Sequence, residues 1–438
     1  MLSRLYALLS HVVLATLVSG TAMGADETDP VIPSHLAWKD AVRIFRERGF
    51  DLLLADAAVE NARGDQLLAG VVANPSFSAG VGRSFAYGDL PGGGALGWSF
   101  GVSDSSAIFD ILSGKRGLRA ATAKIALDKA KQDRVDAERV MLGVVGQAYL
   151  DVVFTKQALG TQKEAQETLG KLTTLNSEKY HHGAISEVEV LKVETEKLSI
   201  DQEVDKAEQD LATNKAQLAY LLGIRKPGAQ FDVDGELPKY GLPGFLAGTN
   251  QANLLKRAWE GRPDLVGARL AREKAEASIK SSQRLRFPDV ALSAGVSGQG
   301  SGTDSVNPPT FSVGVSVTPP LLNAFAGEIT KAKADALAAR AAEGKLESQV
   351  LSEVYSAHSQ WGQSRKRVER AQSGLLDRAG RTRDLVRLQY QKGSASLLEY
   401  LDAERIFIAT QLSYITDLAD YWRAVVSLSQ AIGEDFIP

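Results

Sequence analysis

The segment Phe311–Val317, with the sequence FSVGVSV, alternates bulky apolar residues with serine and glycine along its whole length. Successive side chains of a strand point to opposite faces, so this segment predicts a strand with one apolar face and one small polar face. Such a strand is typical of a membrane barrel, whose wall separates a wet lumen from lipid. A half-buried sheet of a soluble protein is the alternative, although its wet face would usually carry larger polar side chains.

Three further segments show the same alternation, at about residues 77–85, 98–103 and 290–297. Together with the first segment they form two predicted hairpins, at about 76–104 and 289–318. Their small faces again consist almost entirely of serine and glycine, which favours the membrane interpretation for all four strands. The side chains expected to face lipid are Phe77, Val81, Trp98, Phe100, Leu292, Val313 and Val315.

Four strands are too few to close a barrel, because the smallest membrane barrels have about eight. Lipid does not tolerate open strand edges, so the chains must assemble through these strands. Two copies would give about eight strands and three copies about twelve, and only the larger barrel leaves an open passage. The serine and glycine lining suggests such a passage and favours a homotrimer.

The chain contains two copies of one pattern. Glu178–Ser186 aligns with Leu388–Ser396 at an offset of 210 residues, and earlier in each half the offset is 213, as between Pro75 and Pro288. Matching stretches at a constant offset indicate an internal duplication. The predicted units are a first structural repeat at 25–223, a linker rich in glycine and proline at 224–249, and a second structural repeat at 250–438.

Each repeat also carries long segments with helical periodicity. In the second repeat Leu401, Ile408 and Ile415 recur every seven residues, which is the spacing of a coiled-coil seam. Residues 114–178 and 324–389 each predict nearly continuous helix, on the order of 100 Å long. The predicted fold is therefore mainly α, with a duplicated helix, β-hairpin and long-helix repeat. Three chains would form a small membrane β-barrel, continued by an α-helical coiled-coil tunnel.

Composition excludes several kinds of function. The chain has no cysteine, which excludes disulfides, thiolate catalysis and cysteine–zinc sites. Its net charge of −3 gives no electrostatic reason to expect nucleic acid as a partner. No nucleophile–base arrangement or phosphate-binding glycine loop is present, so we predict no enzyme activity, catalytic residue or cofactor. Adjacent His181 and His182 would point in different directions on a helix, so no metal site is predicted.

The first residues have the pattern of an export signal. Arg4 precedes a mostly apolar stretch at 5–18, and Ala22 and Gly24 are small residues placed as at a cleavage site. We therefore expect residues 1–24 to be a signal peptide, which would direct the protein out of the cytoplasm.

The ordered set of motifs resembles the TolC family of outer-membrane efflux proteins, over essentially the whole chain after the signal. The resemblance lies in the duplicated layout and in four motifs, LAWKDA at 36–41, RPDL at 262–265, and the turns YxxGxxS at 180–186 and 390–396. Two shorter segments, SGKR at 113–116 and NP at 74–75, are most similar to the heavy-metal-efflux branch of the family.

This resemblance implies a trimer in the outer membrane that extends into the periplasm, with a twelve-stranded barrel and a twelve-helix tunnel. It also implies a periplasmic adaptor and an inner-membrane pump as partners. The implied function is that of an exit duct, with passive passage of small solutes, metal cations among them, from the periplasm to the exterior. A periplasmic coiled-coil adaptor or scaffold is the alternative, which would require the strands to form a soluble sheet.

The resemblance also implies two functional regions. Glu399 and Asp402 match positions where relatives carry aspartates around a closed aperture, and Tyr390 matches another aperture residue. Ala395 stands where relatives often carry a gate arginine, and an ordinary solvated helix face is the alternative for the two acids. The tips expected to contact the adaptor are Gly183, Ala184, Ile185, Ser186, Gly393, Ser394, Ala395 and Ser396.

Overall fold

Long helices and one small sheet account for most of this computed structural model, which describes residues 33–83, 96–225, 231–233, 238–246, 250–299 and 308–434. The expected signal peptide at 1–24 lies outside these ranges, as do parts of the linker. The helices of the first half are α1 (Trp38–Arg48), α2 (Phe50–Gly70), α3 (Ala107–Leu112), α4 (Lys115–His181) and α5 (Glu187–Leu221). Strands β1 (Ser76–Arg83) and β2 (Leu96–Ser103) lie between α2 and α3.

The second half follows the same order, with two strands between two short helices and a long hairpin. Its strands are β3 (Asp289–Gln299) and β4 (Thr310–Thr318). Its helices are α6 (Gln251–Gly261), α7 (Pro263–Arg284), α8 (Ala326–Arg370), α9 (Leu376–Gln391) and α10 (Leu397–Ile432). None of the helices in the described ranges has an apolar stretch sufficient to cross a bilayer.

The four strands form a single antiparallel sheet in the order β1-β2-β3-β4, so the two hairpins pair with each other. The register places apolar residues opposite one another on neighbouring strands, as with Val81 and Trp98, and with Leu292 and Val315. Trp98 lies opposite Gly298, where a Cβ atom would come within 2.6 Å of the indole ring. Glycine is therefore required there for the indole to pack flat across the sheet.

The main core lies where the long helices cross the short ones. Helices α4, α8 and α10 pack together there with α1, α6 and the first residues of α7. Fully buried side chains in this core include Phe45, Val145, Leu254, Leu265, Val350, Tyr421 and Leu428. Because α4 has 67 residues, it extends far beyond this core, to a length of about 100 Å.

The described part of the linker is tied to the core. Asp232–Val233 pairs in parallel with His35–Leu36, and the Lys156 ammonium lies 2.7 Å from the Asp232 carboxylate. Farther along, a short 3₁₀ helix at Gly244–Leu246 precedes α6. The linker also contacts the second half, because the Tyr421 hydroxyl of α10 donates to the Gly241 carbonyl at 2.7 Å.

The segment predicted as nearly continuous helix at 324–389 is helical from Ala326 to Gln391, with one kink that the periodicity did not predict. Helix α8 ends at Arg370, and a five-residue segment, Ala371–Leu375, joins it to α9 across a kink. Inside this segment Gly374 has φ 128°, a backbone conformation that non-glycine residues rarely adopt. The corresponding helix of the first half, α4, is a single α-helix from Lys115 to His181, as the periodicity predicted.

Candidate functional site

The two hairpin tips have the same construction. Each first helix ends two residues before a glycine with positive φ, 70° at Gly183 and 75° at Gly393. Each second helix then begins after a serine, Ser186 or Ser396, as its N-cap. All of the predicted tip residues are exposed except Ile185 and Ala395, which are half-buried. The tips thus present small side chains at the far end of both hairpins from the sheet.

The carboxylate of Glu399 is bound by the turn that precedes it. It accepts hydrogen bonds from the Ser396 backbone N–H at 2.7 Å and from the Ser396 hydroxyl at 2.9 Å. The backbone bond, reinforced by the hydroxyl, holds the pKa of Glu399 below its ordinary value. Ser396 and Glu399 form a capping box, which the Ser-x-x-Glu spacing could have revealed and which sequence analysis missed.

Asp402 lies one turn beyond Glu399 on the same helix. Its carboxylate forms an ion pair with Arg405 at 2.8 Å, and both side chains are more than half exposed. Within one chain the two predicted aperture acids therefore have separate partners, and Arg405 screens part of the negative charge.

Tyr390 joins the two hairpins. Its hydroxyl donates to the Asn176 side-chain oxygen at 2.9 Å, and Asn176 is almost completely buried in α4. The Tyr390 ring stacks on Tyr400 with centroids 5.4 Å apart, and the Lys179 ammonium lies 4.8 Å from the centroid of the Tyr390 ring. Around it, Leu169, Leu172, Val193 and Leu397 form a small separate core. The predicted aperture tyrosine is thus held in a contact between α4, α9 and α10.

A groove of about 430 Å³ runs between α5 and α10 just behind the tips. Its apolar residues include Leu191 and Leu401, which are equivalent positions of the two repeats at the offset of 210. Charged side chains, among them Lys192 and Asp402, also line it. The groove is open and mixed in polarity, as expected for a surface that contacts another protein or chain.

At the opposite end of the molecule, the sheet exposes one face that is apolar except for Arg83 at the end of β1. The register places all seven predicted lipid-facing residues on this face. Exposure reaches 80% at Phe77 and 71% at Val313, whereas Trp98 is half-buried over Gly298. Large exposed apolar faces on a folded chain mark contacts with protein or membrane. The other face consists mostly of serine and glycine, with Ala291 and a few polar residues at the ends of β3 and β4.

The SGKR motif at 113–116 has a structural function. Lys115 is buried, and its ammonium donates to the Phe287 carbonyl at 2.8 Å and pairs with Asp289 at 2.7 Å. These contacts fasten the start of α4 to the beginning of β3, so they fix the sheet relative to the long helices.

No group of three or more metal-binding side chains is found within the described ranges. His181 and His182 are both exposed at the first tip.

Comparison with known proteins gives concordant results. A family model described as outer membrane efflux protein matches residues 42–224 and 254–434. The pyoverdine export outer membrane protein OpmQ of Pseudomonas aeruginosa is 25% identical, with 94% of this chain and 86% of OpmQ covered. The cobalt-zinc-cadmium resistance protein CzcC of Cupriavidus metallidurans is 20% identical over 74% of each chain. The structure of the outer-membrane channel OprN superposes with a TM-score of 0.76 at 19% identity, covering 91% of this chain and 90% of OprN.

Proposed function

Because this chain belongs to the outer membrane efflux protein family, we propose that three copies of it form one continuous duct from the periplasm to the exterior. The chain is an outer-membrane efflux channel that extends into the periplasm, and it is not an enzyme. The duct proposal rests mainly on the observation that the sheet and the long helices belong to the same chain. A four-stranded sheet with an exposed apolar face continues, within one chain, into helices about 100 Å long.

The trimer follows from the sheet. Within the described residues β1 and β4 each pair with a strand on one side only, so the sheet has two open edges. Strand edges are unstable in lipid because their backbone groups lack hydrogen-bond partners, so β4 of one copy would pair with β1 of the next. Three copies give about twelve strands, enough for a passage lined by serine and glycine.

Detergent-extracted protein should accordingly behave as a trimer. Light scattering that separates protein mass from detergent mass should give about three chain masses. A monomer as the stable species in an outer-membrane extract would contradict the architecture.

The domain division is part of the same proposal. We place a first structural repeat at 25–223, the linker at 224–249 and a second repeat at 250–438. The two halves share the order of two helices, a β-hairpin and a long helical hairpin, which supports this division, as do the equivalent tips at Gly183 and Gly393.

The tips and the neighbouring groove are the surfaces we assign to a periplasmic adaptor, which would connect the duct to an inner-membrane pump. The tip residues are small, so helical hairpins of a partner can approach closely. We take metal cations as the cargo from the name of CzcC and from the acidic residues near the tips.

Placing a large charge on the tips should block efflux. Ala184→Glu or Ser394→Glu should reduce growth in cobalt, zinc and cadmium salts to that of a deletion strain, with trimer yield unchanged. Ala212→Glu is the matched control, because Ala212 is an exposed residue of α5 about 40 Å from the tip. Normal resistance in both tip variants would contradict docking there, and equal growth of wild-type and deletion strains would contradict the cargo.

We assign the closed aperture to the first turns of α10. In a threefold assembly Glu399 and Asp402 would bring six carboxylates around one constriction, and rings of acids favour cations in a pore. The two hydrogen bonds from Ser396 to the Glu399 carboxylate support this assignment, because they fix that carboxylate beside the tip.

The isolated channel should be cation-selective in planar bilayers. Glu399→Gln with Asp402→Asn should reduce the cation preference and weaken block by multivalent cations. Glutamine can still accept the Ser396 N–H bond, so the capping box is expected to survive and the loss can be ascribed to charge. Identical selectivity and block in wild type and double variant would place the constriction elsewhere.

A further inference from the structure

Helix α3, which joins the sheet to the long helix α4, exposes apolar side chains. Ile111 and Leu112 lie three and four residues after Ile108, so the three share one face of the helix. Their side chains are all exposed, Leu112 by 72%. Asp110 lies on the opposite face, where Arg119 of α4 binds its carboxylate through hydrogen bonds of 2.8 and 2.7 Å. This ion pair keeps the apolar face turned away from α4.

A strained turn fixes the position of α3. Ser105 and Ser106 have φ values of 51° and 68°, in the left-handed region that residues other than glycine rarely adopt. The Asp104 carboxylate accepts hydrogen bonds from the backbone N–H groups of Ser106 at 3.1 Å and Ile108 at 3.3 Å. It also accepts the Leu292 N–H of β3 at 2.7 Å. Such strain persists only where the surrounding structure imposes it, so α3 is held in one position relative to the sheet.

This position is on the apolar side of the sheet. Helix α3 packs against β3, and Val290 at the start of β3 is buried. Val290 belongs to the apolar face, because it lies two residues before Leu292 and opposite Val317. No other residue of that face is buried in the described parts of the four strands. The helix therefore covers the apolar face at the end of the sheet nearest α4.

Neighbouring copies in the proposed trimer would leave the exposed face of α3 uncovered. The helix packs on β3 and α4, in the middle of the chain's sheet, whereas the copies join through the outer strands β1 and β4. The second repeat has the same feature, because Leu321 is equivalent to Ile108 at the offset of 213 and is 83% exposed. The apolar surface of the sheet thus continues below the strands in both repeats.

The thickness of the membrane leaves room for α3. The apolar stripe of β4 runs from Phe311 to Val317, which is about 20 Å along the strand. At a barrel tilt of about 40° it spans about 16 Å, whereas the apolar band of such barrels is about 25 Å tall. At the other end of the sheet the apolar face of β1 ends with the charged Arg83. The difference in height is about one helix diameter, which α3 supplies at its end of the sheet.

A guanidinium without a carboxylate partner lies beside this surface. Arg116 is exposed on α4, three residues before Arg119 and on the same side of the helix. Its Nε donates to the Gly70 carbonyl at 2.6 Å, and it forms no ion pair with any residue that the structure describes. The first turn of α4 contains no acidic residue. Arg116 therefore keeps its positive charge where the apolar surface ends and the polar helices begin.

We propose that α3 lies in the periplasmic leaflet of the outer membrane, with its apolar face among acyl chains, and that Arg116 binds the phosphate of an anionic phospholipid there. Helices that lie in a membrane interface combine such an apolar face with neighbouring basic residues. The planar guanidinium can donate to two phosphate oxygens at once. The inference rests on the proposed function, because the sheet must span the membrane for α3 to reach this leaflet.

Fluorescence quenching by lipid tests the position of α3, and the absence of cysteine means that single labels need no background substitutions. Ile111→Cys and Leu112→Cys, each carrying an environment-sensitive fluorophore, are reconstituted as trimers in vesicles with phospholipids brominated near the headgroup end of the acyl chains. Both should lose emission as strongly as labelled Val313→Cys on the apolar face of β4. Labelled Ala212→Cys, on an exposed residue of α5, should keep its emission.

The two reference positions separate failure of this inference from failure of the duct. Quenching at Val313 without quenching at Ile111 and Leu112 would overturn the position of α3 and leave the barrel intact. Absence of quenching at Val313 as well would contradict the barrel and overturn the inference with it.

Binding of the phosphate is tested with phosphatidylglycerol and phosphatidylcholine in equal amounts in detergent micelles, with native mass spectrometry to count the lipids retained by each trimer. Wild type should retain phosphatidylglycerol in preference. Arg116→Gln should reduce this preference by about fivefold, the effect of one guanidinium near an anionic lipid surface. Glutamine can still donate to the Gly70 carbonyl, so the fold should be kept. Arg381→Gln, on an exposed arginine of α9, is the matched control and should leave the preference unchanged.

Equal preference in wild type and Arg116→Gln would overturn the assignment of Arg116. Equal losses in Arg116→Gln and Arg381→Gln would also overturn it, because they would show a general effect of net charge. Inorganic phosphate, added at constant ionic strength, should leave the lipid preference unchanged. Loss of the preference on this addition would show that Arg116 binds a free anion and would overturn the lipid assignment.

Discussion

Val315→Arg should remove most of the channel from the outer membrane. Val315 is 64% exposed in the isolated chain and lies opposite Leu292 on the apolar face of the sheet. An arginine that faces lipid near the middle of the bilayer costs about 2–4 kcal/mol. Three copies would multiply this to about 6–12 kcal/mol in each trimer. We expect the trimer band of unheated membrane samples on an SDS gel to fall to a small fraction of the wild-type band.

Ser316→Arg is the matched control, because it places the same side chain one residue along the same strand. Ser316 lies opposite Ala291, on the serine and glycine face. An arginine there would enter the lumen, where water solvates it, so assembly should survive and conductance should fall. Equal loss of trimer in the two variants would show that the assignment of the faces is wrong.

The strands could be predicted from sequence because a two-residue period determines which face of the sheet each side chain occupies, whichever strand lies beside it. The register adds what the period could not supply. It places Phe100 opposite Val296 across the junction between the two hairpins, and so joins the halves in one sheet. No local pattern could have predicted that pairing, since these residues are far apart in the sequence.

The tips show both the strength and the limit of sequence analysis. The turn glycines and the capping boxes depend on residues three or four apart, so local spacing suffices to predict them. The hydrogen bond between Tyr390 and Asn176 joins residues 214 apart. Such contacts depend on how the hairpins pack. Periodicity likewise predicted nearly continuous helix at 324–389 but could not locate the kink at Gly374 within it.

Arg262→Met should strongly destabilise the helical part of the protein. Arg262 is 3% exposed between α6 and α7, and its guanidinium binds Asp264 at 2.6 Å, Glu353 at 2.6 Å and the Ala431 carbonyl at 3.0 Å. The substitution leaves the Asp264 carboxylate largely buried with only a distant cation, Arg139 at 3.8 Å. Removing one partner of a buried ion pair costs about 3–5 kcal/mol.

Arg340→Met is the matched control for this substitution. Arg340 pairs with Glu276 at 2.9 Å, but the arginine side chain is 63% exposed and that of Glu276 is 42% exposed. Exposed ion pairs contribute about 0–1 kcal/mol, so this variant should unfold close to the wild type. Urea unfolding of detergent-solubilised protein, followed by circular dichroism of the helices, measures both variants. A similar midpoint for Arg262→Met and wild type would show that the buried network contributes little.

The same variant should also change how stability depends on pH. Burial alone would raise the pKa of Asp264, but the hydrogen bonds and charge of Arg262 outweigh burial and lower it. A lowered pKa in the folded state means that Asp264 contributes stability above its unfolded pKa of about 3.9, and that this contribution is lost as pH falls through the folded value. Without Arg262, burial favours the protonated form of Asp264. Lowering the pH then neutralises a buried carboxylate that has lost its partner. The free energy of unfolding of Arg262→Met should therefore be furthest below that of the wild type near neutral pH, and this difference should narrow below about pH 4. If the difference in free energy of unfolding stays constant from pH 7 to pH 3, Arg262 stabilises the helices through packing alone, with no contribution from the charge of Asp264.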